Sequence, residues 1–312
     1  MREPDDAGHD RRGFLKCMTW AGSGLVWTLA GGVPASVALE ACAAPSGTRP
    51  FSFVQVSDSH IGFAKPLNPD SRVTFREAIG KIAALPHKPD FIIHTGDVSQ
   101  LSKDSEFDDA DQIIKEAGLQ VFHVPGEHDV LDEGNGKAFF ERYGKGATGG
   151  GWYSFDHAGV HFVALVNVLN FKAGGEGSLG PEQFAWLKKD LAARSTSTPI
   201  VVFTHIPLWS LYPEWGWNTD EAPQVQALLA RFGSVTVLNG HIHQVQQKVE
   251  GNVAFYTARS TAFPQPAPGA PGVTSPGPMP VPADKLRSVL GVRSISIVGA
   301  NRPLAVTDQT LA

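Results

Sequence analysis

Nine residues in five clusters have side chains that could do chemistry together: Asp58 with His60; Asp97; Glu127 with His128 and Asp129; His205; and His241 with His243. Imidazole suits transition metals such as zinc and iron, and carboxylate oxygens can bridge two ions. In Asp58-x-His60 and His241-x-His243 the two members are separated by one residue. In a turn leaving a strand, both side chains of such a pair can converge on one small volume. Gly96, Gly126 and Gly240 directly precede Asp97, Glu127 and His241, and glycine lets the backbone turn sharply there. No competing nucleophile triad is present. Gly149-Gly150-Gly151 follows no strand pattern and lacks the Lys-Ser/Thr pair of a phosphate loop, so it reads as a turn.

Each cluster sits just past an apolar run with the length of a buried strand. The predicted strands are residues 51–56, 91–94, 120–124, 200–203 and 235–238. Helical spacing covers 71–85, 103–117, 181–193, where proline opens the helix, and 222–232. Residues 152–156 and 160–166 read as a hairpin around a glycine-containing turn, and further hairpin-like strands follow towards the C-terminus. Strand and helix alternation of this kind predicts a layered α/β fold, in which ligands bind outside the carboxyl ends of the strands. Residues 263–282 are dense in proline and glycine and read as an irregular loop. Residues 293–308 beyond them read as a last strand pair, so the loop is an insertion within the domain. No solenoid-type repeat is present.

In order and spacing, the five motifs resemble those of the calcineurin-like metallophosphoesterases, over residues 51 to about 260. The resemblance implies an αββα layered sandwich, two mixed β-sheets flanked by helices, with residues 45–312 forming one metallophosphoesterase domain. It implies that Asp58, His60 and His243 hold one metal ion, that Glu127, His205 and His241 hold a second, and that Asp97 bridges both. His128 would touch the phosphate and protonate the leaving group, and Asp129 would orient it. A small phosphoester would be cleaved by attack on phosphorus of a hydroxide bridging two ions about 3.5–4 Å apart. The most similar branch is that of the bacterial cyclic-nucleotide phosphodiesterases. Val98-Ser99-Gln100 after Asp97 lacks the tyrosine of purple acid phosphatases and sets the chain apart from that branch.

Glu127 departs from the family pattern, which has Asn at this place. Asn would coordinate as a neutral oxygen donor, whereas Glu brings a negative charge and one more methylene. Asp58, Asp97, Glu127 and one hydroxide together cancel two divalent ions; with Asn at 127, one positive charge would remain. A neutral centre attracts a phosphate dianion less. Two expectations follow. Either one ion is trivalent, iron alongside Mn, Zn or a second Fe, or a monoanionic diester is preferred over a dianionic monoester. The alternative function is a metal-binding protein with little or no hydrolysis because of Glu127.

The remaining features bound the partners and the compartment. With 42% hydrophobic and 18% charged residues the chain can build a core and does not read as disordered. A net charge of -5 with no basic block beyond the leader excludes a chain built to hold a nucleic-acid backbone. Residues 1–44 have the layout of an export signal: Arg11-Arg12-Gly13-Phe14-Leu15-Lys16, a mildly apolar stretch to about residue 39, then Ala41-Cys42-Ala43-Ala44. The arginine pair resembles a twin-arginine signal. This implies export of a folded, metal-loaded protein by the twin-arginine machinery and a periplasmic or secreted location. The apolar stretch is weak for a stable membrane span; a tether through Cys42 or an uncleaved leader is the alternative. Cys17 and Cys42 both belong to this leader, so no disulfide is expected in the domain.

Trp209, Trp215 and Trp217, just past His205, read equally as a rim that stacks on a base, sugar or apolar leaving group and as a loop packed on the domain. His94, His123, His157 and His161 fall within predicted strands or the hairpin and read as structural. Arg259 reads as structural ahead of a role as phosphate donor, and Asn239 as a turn residue.

Overall fold

In the computed structural model, residues 25–30, 33–38, 50–171, 175–297 and 304–312 are described. β1 (Leu25–Ala30) and β2 (Val33–Ala38) pair antiparallel within Met1–Ser46, a unit separate from Gly47–Ala312. The Arg11-Arg12 pair and the small residues at 41–44, read as the start and end of an export signal, lie outside the described residues. Among the described residues no helix is long and apolar enough to cross a membrane.

In the second unit, β3 (Phe51–Val56), α1 (Ser71–Ala83), β4 (Phe91–His94), α2 (Asp104–Ile114) and β5 (Gln120–His123) build two β–α–β crossovers. Then come α3 (Lys137–Tyr143) and the antiparallel hairpin of β6 (Tyr153–His157) and β7 (Val160–Ala164). α4 (Gly180–Ala192), β8 (Ile200–Phe203), α5 (Ala222–Leu229) and β9 (Val235–Asn239) alternate next. β10 (Gln246–Glu250), β11 (Val253–Thr257), α6 (Leu286–Val289), β12 (Gly291–Ile297) and β13 (Ala305–Thr310) complete the chain. The strands form a sheet ordered β13-β12-β3-β4-β5 and a second ordered β10-β11-β9-β8-β7-β6. Both are mixed. Parallel strands occupy the middle, and antiparallel ones close all but the β5 edge.

The two-residue period of the strands builds the layers. In β3, Phe51 and Phe53 join Phe91, Phe162, Phe203 and Ile295 in a core between the sheets, while Val54 and Val56 pack with residues of α1 and α2 on the other face. A third core lies between the second sheet and helices α4 and α5. The result is the four-layer αββα sandwich. Truncating a fully buried phenylalanine of the central layer to alanine would cost roughly 3–5 kcal/mol. Packing of this layer therefore outweighs local propensity in holding the strand ends in place. Arg293 adds a polar link between the sheets: it is fully buried, pairs with Asp308 at 2.9 Å, and donates to Gln55 Oε1 and the Thr257 carbonyl.

Several boundaries differ from the sequence expectation. α2 stops at Ile114 and its last residues tighten into a 3-10 turn, Lys115–Ala117, closed by Gly118 in the left-handed region. α5 ends at Leu229, three residues early. The seven-residue α3 has no counterpart in the expected elements. Residues 263–282 contain no helix or strand, as their composition predicts.

Candidate metal centre

The carboxyl ends of β3, β4, β5, β8 and β9 lie together, bringing three loops from one sheet against two from the other. Backbone bonds stitch them: Asp58 N–H donates to Gly96 O at 3.0 Å, His60 N–H to Asp97 O at 2.9 Å, and Gly240 N–H to His205 O at 3.1 Å. Gln55, buried at the end of β3, donates to the Asn239 carbonyl at 3.1 Å and to Thr95 Oγ1 at 3.0 Å, joining the two sheets beneath the site. Asp58, His60, Asp97, His241 and His243 all have positive φ, between 41° and 71°. This is five of the eight non-glycine residues with positive φ among the described residues. At roughly 1–3 kcal/mol each, such strain persists only where surrounding contacts over-determine it, and it clusters at functional sites.

The side chains form two groups around Asp97. Asp58, His60, Asp97 and His243 present nitrogen or carboxylate oxygen atoms all within 4.8 Å of one another, and so do Glu127, His205 and His241. Asp97 Oδ1 accepts the His128 N–H at 2.9 Å. Its Oδ2 is left facing His60 Nε2 at 3.3 Å and His205 Nε2 at 3.5 Å, one from each group. Glu127 reaches His205 Nε2 at 2.8 Å and His241 Nδ1 at 2.9 Å, and His243 Nε2 lies 3.2 Å from Asp58 Oδ1. Asp97, Glu127 and His128 make a third, overlapping group.

Protons are arranged so that lone pairs point inward. His205 Nδ1 donates to the Thr95 carbonyl at 2.7 Å and His243 Nδ1 to the Phe263 carbonyl at 2.6 Å, which fixes the tautomers and turns both Nε2 atoms to the centre. Asp58 Oδ2, Glu127 Oε2, His205 Nε2 and both ring nitrogens of His241 are buried without a well-aligned hydrogen bond, although Glu127 stands 2.8 Å from His205 Nε2 and 2.9 Å from His241 Nδ1. Buried polar atoms are almost always satisfied, so this concentration of orphans fits a cation. The electrostatics agree. Burial disfavours a charged His205, but Asp97 and Glu127 outweigh it and hold its pKa well above the ordinary imidazole value. Burial also opposes ionisation of Asp58 and Glu127, yet the neighbouring histidines keep both carboxyls below their usual range. His60 goes the other way: burial pushes it down to about 3. The centre thus stabilises a positive charge held between its acids.

His128 lies beside the two groups, its ring edge-on to His60 at 4.8 Å. Its Nδ1 donates to the Gln100 carbonyl at 2.8 Å, which leaves Nε2 as the atom that can exchange a proton with a ligand. Burial lowers its pKa, and Asp97 and Glu127 more than offset this, so it titrates above the ordinary value. The expected partner of this ring, Asp129, does not reach it. Asp129 instead accepts from the N–H groups of Val98, Ser99 and Gly126 and from Ser99 Oγ. Its carboxylate ties the Asp97 loop to the Glu127 loop, and Gln100 orients His128.

The glycines act differently from expectation. Only Gly96 has positive φ, at 95°; Gly126 and Gly240 are needed for close approach. A Cβ on Gly126 would strike Asp97, and one on Gly240 would strike Ser57 and Asp58. A Cβ on Gly96 would meet Gly126 N at 2.7 Å and overlap His205 Nδ1. Gly96→Ala is therefore expected to cost about 1–3 kcal/mol through the left-handed φ alone and to displace His205. Thermal unfolding and metal content of the purified variant check this.

The four histidines of the strands and hairpin serve the fold. His94 binds Ser59 Oγ at 2.7 Å, His123 stacks on Tyr143 at 4.1 Å, His157 meets Asp90 at 2.8 Å, and His161 sits between Asp156 and Asp190. Arg259 donates to the Val289 carbonyl, and Asn239 Nδ2 to the Gly240 carbonyl. The tryptophans divide. Trp209 packs on Phe255 in the core, while Trp215 and Trp217, edge to face at 5.1 Å, line a cavity of about 300 Å³ over the centre. Phe63, Lys65, Gln100, Phe263, Gln265 and Pro276–Pro278 also line it, so the proline-rich loop forms part of the wall. Gln265 Nε2 donates to the His241 carbonyl at 2.9 Å and braces the His241–His243 turn.

Residues 51–245 match the sequence model of the calcineurin-like phosphoesterases. The chain belongs to the calcineurin-like phosphoesterase family. Two bacterial relatives match over most of their length. A probable glycerophosphodiester phosphodiesterase of Arcobacter nitrofigilis is 25% identical over 226 residues, 66% of this chain and 77% of that protein. A probable cyclic nucleotide phosphodiesterase of Psychrobacter arcticus is 22% identical over 224 residues, 67% of this chain and 80% of that protein. Purple acid phosphatase 23 of Arabidopsis thaliana is 30% identical over 138 residues, but the match spans only 28% of that protein and 40% of this chain. A dimetal phosphatase from Danio rerio superposes with a TM-score of 0.60 at 13% identity, covering 84% of this chain and 99% of its own. That likeness shows the fold alone. This phosphoesterase places a histidine and carboxylate cluster able to hold metal at the carboxyl edges of both sheets.

Proposed function

We propose that this phosphoesterase is a binuclear metal-dependent hydrolase that favours diesters over monoesters. The observation that carries the reading is Asp97 Oδ2, which lies between two ligand groups and faces a histidine of each. Asp58, His60 and His243 would hold one ion, Glu127, His205 and His241 the other, and Asp97 both, with iron paired with Mn, Zn or a second Fe. Two bound cations would supply Lewis acidity and a water of lowered pKa. The chain's own residues do the rest. Thr95 O and Phe263 O keep the imidazole protons on the outer nitrogens, Gln100 O aims His128, and Nε2 of His128 carries a proton to the leaving oxygen. The tryptophan pair and the proline-rich loop shelter the leaving-group side.

Glu127 supports the diester preference. Its carboxylate removes the positive excess that a dianionic monoester would need, whereas a monoanionic diester needs less. Replacing it with the neutral Glu127→Asn is expected to raise the monoester-to-diester ratio of kcat/KM about tenfold, since one unit charge close by in a partly buried site is worth at least ~1.4 kcal/mol. Steady-state rates on 4-nitrophenyl phosphate and bis(4-nitrophenyl) phosphate with matched metal loading measure it; an unchanged ratio sinks the charge argument. One geometric fact favours a second reading, a metal-binding protein without turnover: Glu127 engages His205 and His241 at once. Absence of metal-dependent diester cleavage with either manganese or iron would support that reading instead. Residues 1–44 fit a twin-arginine export signal in this proposal. Retention of an Arg11→Lys, Arg12→Lys variant in the cytoplasm, with the unaltered protein in the periplasm, is the expected outcome.

A further inference from the structure

We propose that Lys65 reads a second anionic group on the substrate, carried by the leaving-group side beyond the phenyl rings of Phe63 and Phe263. The inference rests on the hydrolase reading and narrows its substrate class to diesters with a carboxylate or phosphate beyond the reacting one. Its basis is a row of side chains along one cavity wall. The Phe263 ring lies 4.7 Å from that of His60, the Phe63 ring 4.4 Å from that of Phe263, and Lys65 Nζ 5.8 Å from the centre of Phe63. The Phe63 and Phe263 rings thus link the ammonium to the rings of His60 and His243 through successive contacts. The ring contact of Lys65 is with Phe63 and not with a candidate ligand.

The turn that carries Lys65 is fixed in place. Lys65 N–H donates to the Asn68 carbonyl at 3.1 Å, and buried Asn68 donates from its side chain to the Ala262 carbonyl at 2.8 Å. Among the described residues no carboxylate lies within ion-pair distance of Lys65, although most arginines and several lysines have such partners. Among the described residues lining the cavity it is the one Lys or Arg, while Asp97 and Glu127 line the floor. Phe63 and Phe263 are buried, so the wall between floor and lysine is apolar. A ligand matching this wall has a phosphate at one end, an apolar or flat connecting part between the phenylalanines and Trp215, and an anion at the far end. The exposed ammonium, 5.8 Å from the centre of the Phe63 ring, gives the rim of the cavity a positive charge that favours that anion.

The test compares two methyl phosphodiesters of equal shape, one with a 4′-carboxybiphenyl leaving group and one with the neutral 4′-carboxamide. The unaltered enzyme is expected to hydrolyse the carboxylate with about threefold higher kcat/KM, the size of a solvent-exposed charge pair, and the advantage should shrink as salt rises. Lys65→Gln should bring the ratio to near one, and Lys65→Arg should keep it. A ratio of one in the unaltered enzyme, or a ratio that survives Lys65→Gln, overturns the proposal. The corresponding phosphonates, which cannot be cleaved, separate the two readings by calorimetry. If neither ester turns over but the phosphonate affinities differ about threefold in a Lys65-dependent way, the hydrolase reading falls and the role of Lys65 stands. Equal affinities remove Lys65 itself.

Discussion

Asp97→Asn is expected to lower kcat/KM for a chromogenic diester by about 10⁴-fold, the rate equivalent of the several kcal/mol that metal stabilisation supplies, and to cost metal from both positions. The asymmetry of its two oxygens gives the reason. Oδ1 is engaged with the His128 N–H, while Oδ2 faces His60 and His205, so one atom serves both groups. Asn retains the volume, and its amide oxygen can still accept from His128 N–H; what it loses is the anion between the groups. With that charge gone, the orphaned nitrogens of His205 and His241 would keep Glu127, and His205 the more distant Asp58 at 3.9 Å, as anionic partners. Metal content by mass spectrometry, diester rates and the melting temperature should be read together. A variant that keeps two ions per chain and loses less than about tenfold in rate, which is only ~1.4 kcal/mol, would show that Asp97 does not join the two groups. The expected pattern is loss of metal and rate with the fold retained.

Much of this arrangement was legible in the sequence because it depends on residue type and position along strands. Strands β3, β4 and β8 match their predicted bounds. All are buried on both faces, which yields short continuous apolar runs with abrupt polar ends. Asp58 with His60, and His241 with His243, could be paired because each pair is separated by one residue in a turn leaving a strand; the positive φ of all four is visible only in the structure. What could not be read is whatever the backbone supplies. The Thr95, Gln100 and Phe263 carbonyls fix three histidine tautomers, and any residue type would present the same oxygen. Asp129 was misassigned for a related reason. Its neighbour in sequence is His128, but its four donors come from Val98, Ser99 and Gly126, which only the juxtaposition of two loops makes adjacent. Lys65 lies in a turn with no periodic signal, and its place on the cavity wall follows from the Asn68–Ala262 bond across 194 residues. Helix α3 is preceded by Gly134, Asn135 and Gly136, the last two with positive φ, and these obscure its short apolar pattern.

His128→Asn is expected to reduce turnover by about 10²–10⁴-fold for a diester with a poor alkoxide leaving group, the contribution of a positioned general acid, and far less for 4-nitrophenolate. The distinction follows from which atom holds the proton. Nδ1 is committed to the Gln100 carbonyl at 2.8 Å, and the acids Asp97 and Glu127 keep the ring charged more readily than a free imidazole. The proton available for transfer is therefore on Nε2. A leaving oxygen that is already a stable anion gains little from that proton, whereas an alkoxide cannot depart without it. If His128 instead acted only by touching the phosphate, its loss would slow both substrates equally and would raise KM more than it lowers kcat. If it served as a metal ligand, as its nearness to Asp97 and Glu127 permits, the variant would lose bound metal. The dependence of log kcat/KM on leaving-group pKa, measured for the unaltered enzyme and for His128→Asn at matched metal content, separates the three. A steeper slope in the variant is the mark of the acid, since the uncompensated charge on the departing oxygen then limits the rate.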